Sequence, residues 1–242
     1  MSLPDEARTQ TLDGVDLLVS RVTHRTVVLL PDQDVEGRCD PAADGLLALR
    51  NRLTELELGV VTIDGGTSWW ANRGPTPGWF SDTLRPWLGE RATVCGLIGV
   101  GVGGQGALLN GFQNGRQWAA VAAVAPASDL GRWFGRGTSL DEEFETADAA
   151  RQAEAPLFFN PLSAPAALLT WCDPRDEACV ASATRVISKV QSSGGRITSD
   201  LETEAGVNRT DYVRHRASDL AEWIDEALRR AEQRPSLPVL RS

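Results

Sequence analysis

The sequence is almost without lysine: Lys189 stands alone, and every other cation is an arginine. Histidine is nearly as scarce, with only His24 and His215, and the four cysteines (Cys39, Cys95, Cys172, Cys179) form no C-x-x-C pair. A structural zinc site needs four soft or nitrogen ligands converging, and no spacing here offers them, so neither metal nor other cofactor is expected. The thiols read as buried or idle, with a Cys172–Cys179 bridge left open. No apolar run approaches the ~20 residues of a membrane span. The opening MSLPDEARTQ has neither the basic nor the apolar region of a secretion signal, so a cytoplasmic protein is expected. Positive charge is short too: 24 Lys+Arg face 33 Asp+Glu, a formal net charge of -9. Nucleic acid and anionic membranes both reward clustered positive charge, and neither is expected as a partner.

What remains is an ordinary globular composition, 242 residues with 42% hydrophobic and 24% charged. That length buries a sizeable core without staples and fits one domain over 1–242, with an irregular stretch at about 1–20 and a frayed tail at about 234–242. Apolar β-branched runs alternate with helical periodicity, the pattern of a mostly parallel sheet with helices on both faces. Strands are expected at 26–30, 59–63, 94–100, 119–125, 167–171 and 196–202. Leu46, Leu49, Leu53 and Leu56 mark one helix face. Trp79 to Leu88, about Gln105 to Phe112, Val180 to Val190 and a closing segment through Leu220, Ile224 and Leu228 mark others. The stretch 129–154 reads as an excursion above the sheet, with Asp141–Glu145 a solvated acidic face.

The segment Gly99-Val100-Gly101-Val102-Gly103-Gly104-Gln105-Gly106-Ala107-Leu108 joins a strand to a helix and admits two chemistries. Gly99, Gly101 and Gly104 satisfy G-x-G-x-x-G, which can bring a helix N-terminus to a pyrophosphate. That fingerprint belongs on a domain's first strand, whereas two strands precede this one, and its acidic partner would be a late Asp129. The other chemistry is the nucleophile elbow, G-x-S-x-G, a strained turn that lifts a serine above the sheet.

Here the chain resembles the esterase D group of α/β-hydrolases, which includes S-formylglutathione hydrolases and many small carboxylesterases. Their elbow, G-x-S-M-G-G-x-G-A-L, is matched at Gly99, Gly103, Gly104, Gly106, Ala107 and Leu108. Val61 to Asn72 resembles their D-G-G-x-S-W-Y-x-N loop, and Ala120 to Asp129 their following strand and turn. The resemblance runs from about Arg25 to Leu228 and implies an α/β-hydrolase fold. It also implies a triad, and the triad is altered. Gly101 stands at the nucleophile position and Asn208 at the histidine's, so neither nucleophile nor general base is present. Asp176 falls at the acid position, with Asp173 as runner-up. The oxyanion-hole segment falls on Pro31, Asp32 and Gln33, where a carboxylate would repel a developing oxyanion; the Val102 N–H remains as one donor.

Three readings follow. The first is a catalytically degenerate esterase-like protein that binds a small ligand or a protein partner in a cleft over Gly101, with Asp32, Gln33, Trp69, Trp70 and Val102 around it. The second is a carboxylesterase or thioesterase with a non-standard or residual site, for which Ser68, Ser128 and Cys172 are the relocated nucleophiles to consider. The third is a nucleotide-binding domain. A homo-oligomer is compatible with all three.

Overall fold

A computed structural model describes residues 7–34, 36–206 and 208–233. The expected mostly parallel sheet is there, with eight strands in the order β1-β2-β4-β3-β5-β6-β7-β8. The strands are β1 (Arg8–Leu12), β2 (Val15–Arg21), β3 (Arg25–Leu30), β4 (Gly59–Ile63), β5 (Val94–Val100), β6 (Ala120–Val124), β7 (Ala167–Trp171) and β8 (Thr198–Asp200). Strand β2 runs antiparallel to β1 and β4; every other pairing is parallel.

The central strands are apolar along their length because both faces are covered. Within β3, Val27 and Leu29 pack on one face while Val28 and Leu30 pack on the other; Ile98 and Leu97 divide in the same way in β5. The first face is closed by α1 (Asp44–Glu55) and α9 (Arg209–Glu232), through Leu46, Leu49 and Leu53 against Tyr212, Leu220 and Ile224. The second is closed by α2 (Pro77–Trp79), a π-helical turn (Phe80–Leu84), α3 (Arg85–Leu88), α4 (Val102–Gln113) and α8 (Glu177–Ser192). The excursion contains α5 (Leu130–Trp133), α6 (Leu140–Glu143) and α7 (Ala147–Gln152).

Two expectations need correction. The stretch at about 1–20 is not irregular over its described part, since β1 and β2 form a hairpin there. Its turn, Asp13 (φ 50) and Gly14 (φ 76), puts both central residues at positive φ, the geometry that an Asp-Gly pair favours. Nor is the acidic run wholly solvated. Glu143 is 6% exposed, and its carboxylate accepts the N–H groups of Trp69 (2.5 Å) and Asn72 (3.2 Å). Burial pushes its carboxyl above the usual range, against the pull of those N–H donors. Glu143 thus ties the excursion to the tryptophan loop. The tail at 234–242 lies outside the described residues. Among the described residues, no helix is long and apolar enough to cross a membrane.

Candidate functional site

Strand β5 delivers the chain to Gly101, whose φ of 56° and ψ of -116° form a sharp strand-to-helix elbow. Its flanking glycines let α4 lie close on the sheet. A Cβ on Gly99 would stand 1.9 Å from the Gly103 carbonyl oxygen, and one on Gly103 would stand 2.2 Å from that of Leu30. The elbow is therefore built, and what fills it differs from a nucleophile.

A Cβ placed on Gly101 would point straight into the carboxylate of Asp32, 2.0 Å from Cγ and Oδ1. The Asp32 carboxylate occupies that space because three donors hold it. Oδ1 accepts the N–H of Val102 at 2.9 Å and that of Gln33 at 2.9 Å, while Oδ2 takes Nη1 of Arg209 at 3.0 Å. The Val102 N–H follows the elbow residue and the Gln33 N–H lies just beyond β3, and the two converge on one point above the elbow. They are taken by the protein's own carboxylate.

Arg209 completes a chain of ion pairs across the sheet's carboxyl end. Its Nε donates to Asp176 Oδ2 at 2.7 Å, so one guanidinium bridges Asp32 and Asp176. Burial opposes the positive charge on Arg209, and the carboxylates around it more than offset that, raising its pKa. Asp176 caps α8, accepting the N–H of Cys179 at 3.2 Å. Burial pushes the Asp176 carboxyl up, but the Arg209 guanidinium and the cap N–H outweigh it and leave the group below its usual range. The runner-up, Asp173, stands apart from this bridge, held by Arg175 at 2.6 and 2.8 Å.

Asn208 sits next to the bridge and does not join it. Its side chain caps α9, accepting the N–H of Asp211 at 2.9 Å. The residue that reaches between acid and elbow is Arg209, which sequence reasoning passed over. His215 is exposed on α9 with Nδ1 beside the Asp211 carbonyl, and His24 pairs with Glu232 at 3.0 Å; neither joins the bridge.

The two tryptophans part company. Trp69 lines a cavity of about 260 Å³ together with Asp32, Gln33, Val102, Trp133 and Arg209. Trp70, at a positive φ of 64°, is 1% exposed and lies beneath Gly106 of α4, so it packs the core and does not line that cavity. A second cavity, of about 420 Å³, opens on the other side of Arg209 between Asp173, Asp176, Asn208 and Tyr212. The relocated nucleophiles are poorly placed. Ser68 and Ser128 are 4% and 1% exposed, and the Ser68 hydroxyl is engaged with the Trp70 N–H and the Arg73 carbonyl. Cys172 is fully buried, and burial pushes its thiol up to about 12. All four cysteines are free, Cys172 and Cys179 included.

No family model matches this chain, and no curated protein matches it in sequence. Solved structures match it in shape. MPT51 of Mycobacterium tuberculosis aligns with a TM-score of 0.70 at 14% identity, over 88% of this chain and 93% of its own. A ferulic acid esterase aligns at 0.67 and 11% identity, over 91% and 97%. A lipase/esterase from Lactobacillus plantarum aligns at 0.64 and 13%, over 91% and 97%. At such identities the likeness carries the fold and no activity: the chain has the α/β-hydrolase fold.

Proposed function

We propose that this protein is a catalytically silent esterase-like α/β-hydrolase, close in layout to the esterase D group, that acts by binding a small ligand or a protein partner. The observation that carries this reading is the Asp32 carboxylate, which fills both the nucleophile's space and the two donors of the oxyanion hole. A tetrahedral intermediate needs an alkoxide, a proton acceptor and free N–H donors. Gly101 supplies no oxygen, Arg209 holds its proton at any working pH, and the donors are engaged by an anion that would repel a second one.

The Asp32 carboxylate also weighs against a nucleotide, since it sits on the first N–H of α4, where a pyrophosphate would have to go. A residual esterase centred on Ser68, Ser128 or Cys172 is disfavoured by their burial.

The test is hydrolysis of short-chain acyl esters together with labelling by a serine-directed phosphonate. The expected result is no turnover above buffer and no adduct by mass spectrometry. Turnover that survives repurification, or an adduct on any serine, would overturn the proposal.

A further inference from the structure

Strand β1 lies at one edge of the sheet, and among the described residues it pairs with β2 alone. The hairpin fixes which way its backbone groups point. The two-residue turn Asp13-Gly14 joins Leu12 to Val15, and such a turn closes on a hydrogen-bonded pair. Gln10 and Arg8, two and four residues back, therefore also spend their backbone groups on β2. The far side of β2 agrees. The Asp64 N–H donates at 2.8 Å to the carbonyl of Asp16, the residue opposite Thr11, so Asp16 bonds away from β1. Thr9 and Thr11 are left with N–H and C=O groups pointing out of the sheet.

An open edge is a template for another strand, and sheets commonly guard it with lysine, proline or a bulge. Between Thr9 and Leu12 there is none of these: Thr9, Gln10 and Thr11 are exposed and uncharged, in unbroken register with β2. The strand is also complementary to itself. Thr9-Gln10-Thr11 reads the same in both directions. An antiparallel copy, related by a two-fold axis at Gln10, sets Thr9 opposite the partner subunit's Thr11. Both members of that pair point outward, and symmetry supplies the pair twice, with four main-chain hydrogen bonds. Registers centred on Thr9 or on Thr11 engage a single threonine pair within the strand.

Charge favours the same register. Arg8 falls opposite the partner subunit's Leu12 and next to the partner subunit's Asp13, an opposite-charge contact that the two-fold axis repeats. Within their own chain, among the described residues, neither Arg8 nor Asp13 forms an ion pair.

We infer that this chain pairs with a second copy of itself across β1, antiparallel about Gln10, so that two eight-stranded sheets join into one. The pairing is independent of what the cleft over Gly101 does.

The test is the mass of the full chain in solution, by sedimentation velocity over a hundredfold range of concentration. A dimer in reversible equilibrium with monomer is expected. Thr9→Pro removes an outward N–H at an edge position, where proline leaves the β1–β2 ladder whole. It is expected to weaken dimerisation at least tenfold with the thermal melt retained. Arg8→Glu sets like charges side by side and is expected to weaken it as much, with part of the loss recovered at high salt. In Gln10→Cys the new thiol faces its own copy, so mild oxidation is expected to give a disulfide-linked dimer. Leu162→Cys, in the exposed apolar patch of Leu157, Phe158 and Leu162, is expected to give none. A monomer at every concentration, or a dimer that Thr9→Pro and Arg8→Glu leave intact, would overturn the inference. Crosslinking through Leu162→Cys and not through Gln10→Cys would also overturn it, placing the contact on the apolar patch.

Discussion

Asp32 accepts from three donors, the backbone N–H groups of Gln33 and Val102 and the guanidinium of Arg209. Asp32→Ala leaves two backbone N–H groups and one face of a half-buried guanidinium without an acceptor, and is expected to lower stability by about 1–3 kcal/mol. The vacated space has the donor set of a carboxylate site. Acetate or formate should therefore recover part of the lost melting temperature of the variant, while chloride at equal ionic strength should not; a melt insensitive to the anion would argue against this. Arg209 carries a pH signature. The folded pKa of Asp176 lies below its ordinary value, so its contribution is present above the unfolded value of 3.8 and is lost as pH falls through the folded one. Arg209→Met removes the group that lowers it and leaves burial to raise it. The gap in unfolding free energy between pH 6 and pH 3 should therefore shrink in that variant, measured by urea titration at both values. At this scale the sequence was half legible. Gly101, Asn208 and Asp176 follow from ordered motifs, each within a few residues of its neighbours. Arg209 does not, because its contact with Asp32 joins positions 177 residues apart and is set by where β3 and α9 end. One local cue existed: a carboxylate at the expected oxyanion hole calls for a cation within reach.

Helix α4 is a poor helix on propensity, with four glycines in twelve residues, VGGQGALLNGFQ, yet it is buried along nearly its whole length. The glycines serve packing, so the usual substitution rule should reverse. Alanine for glycine inside a helix ordinarily stabilises by about 1 kcal/mol. At Gly106 the new methyl would stand 2.4 Å from Cγ of Trp70, an indole locked in the core at positive φ. Gly106→Ala is expected to destabilise by about 1–3 kcal/mol through overpacking, read from denaturant midpoints at constant slope. A stabilised variant would mean that Trp70 has room to shift. The central strands were legible because burial on both faces makes them continuous apolar runs. The β1–β2 hairpin was not recognised, although Asp13-Gly14 between Thr9–Leu12 and Val15–Val19 is a hairpin signal. The edge strand β1 is polar and mostly exposed, and β2 beside it buries only Leu17 and Val19, so the pair lacks the continuous buried run of the central strands. The buried Glu143 escaped for the opposite reason. Its neighbours Asp141, Glu142 and Glu145 make it look like one charge in a solvated run, while its partners lie more than 70 residues away.

For the whole molecule, the α/β-hydrolase fold carries one ion-pair relay, Asp32–Arg209–Asp176, across the carboxyl end of its sheet; on the proposed reading it occupies the space of the nucleophile and of the base and keeps the acid. Residues that depend on one another in this way cannot be reverted singly. Gly101→Ser alone puts its Cβ against the Asp32 carboxylate, so the serine is either displaced or forces the loop after β3 to move. Pairing it with Asn208→His places the imidazole at a helix cap, removing a hydrogen bond worth about 1 kcal/mol, and leaves Arg209 between base and acid. That double variant is expected to stay silent and to melt lower. The geometry instead favours three changes together: Asp32→Gly to clear the hole, Gly101→Ser to supply the nucleophile, and Arg209→His, because position 209 already reaches Asp176 at 2.7 Å. An imidazole there could accept the serine proton while Asp176 holds its other nitrogen. The triple variant is expected to hydrolyse a short-chain ester at least tenfold faster than a control triple in which Gly101→Ala replaces Gly101→Ser. It should also take up a serine-directed phosphonate at the introduced serine in a one-to-one adduct. If the double variant turned over and the triple did not, position 208 would be the base's seat and the relay through Arg209 an incidental ion pair. If the triple alone turned over, the elbow, hole and acid would be shown to persist beneath the relay.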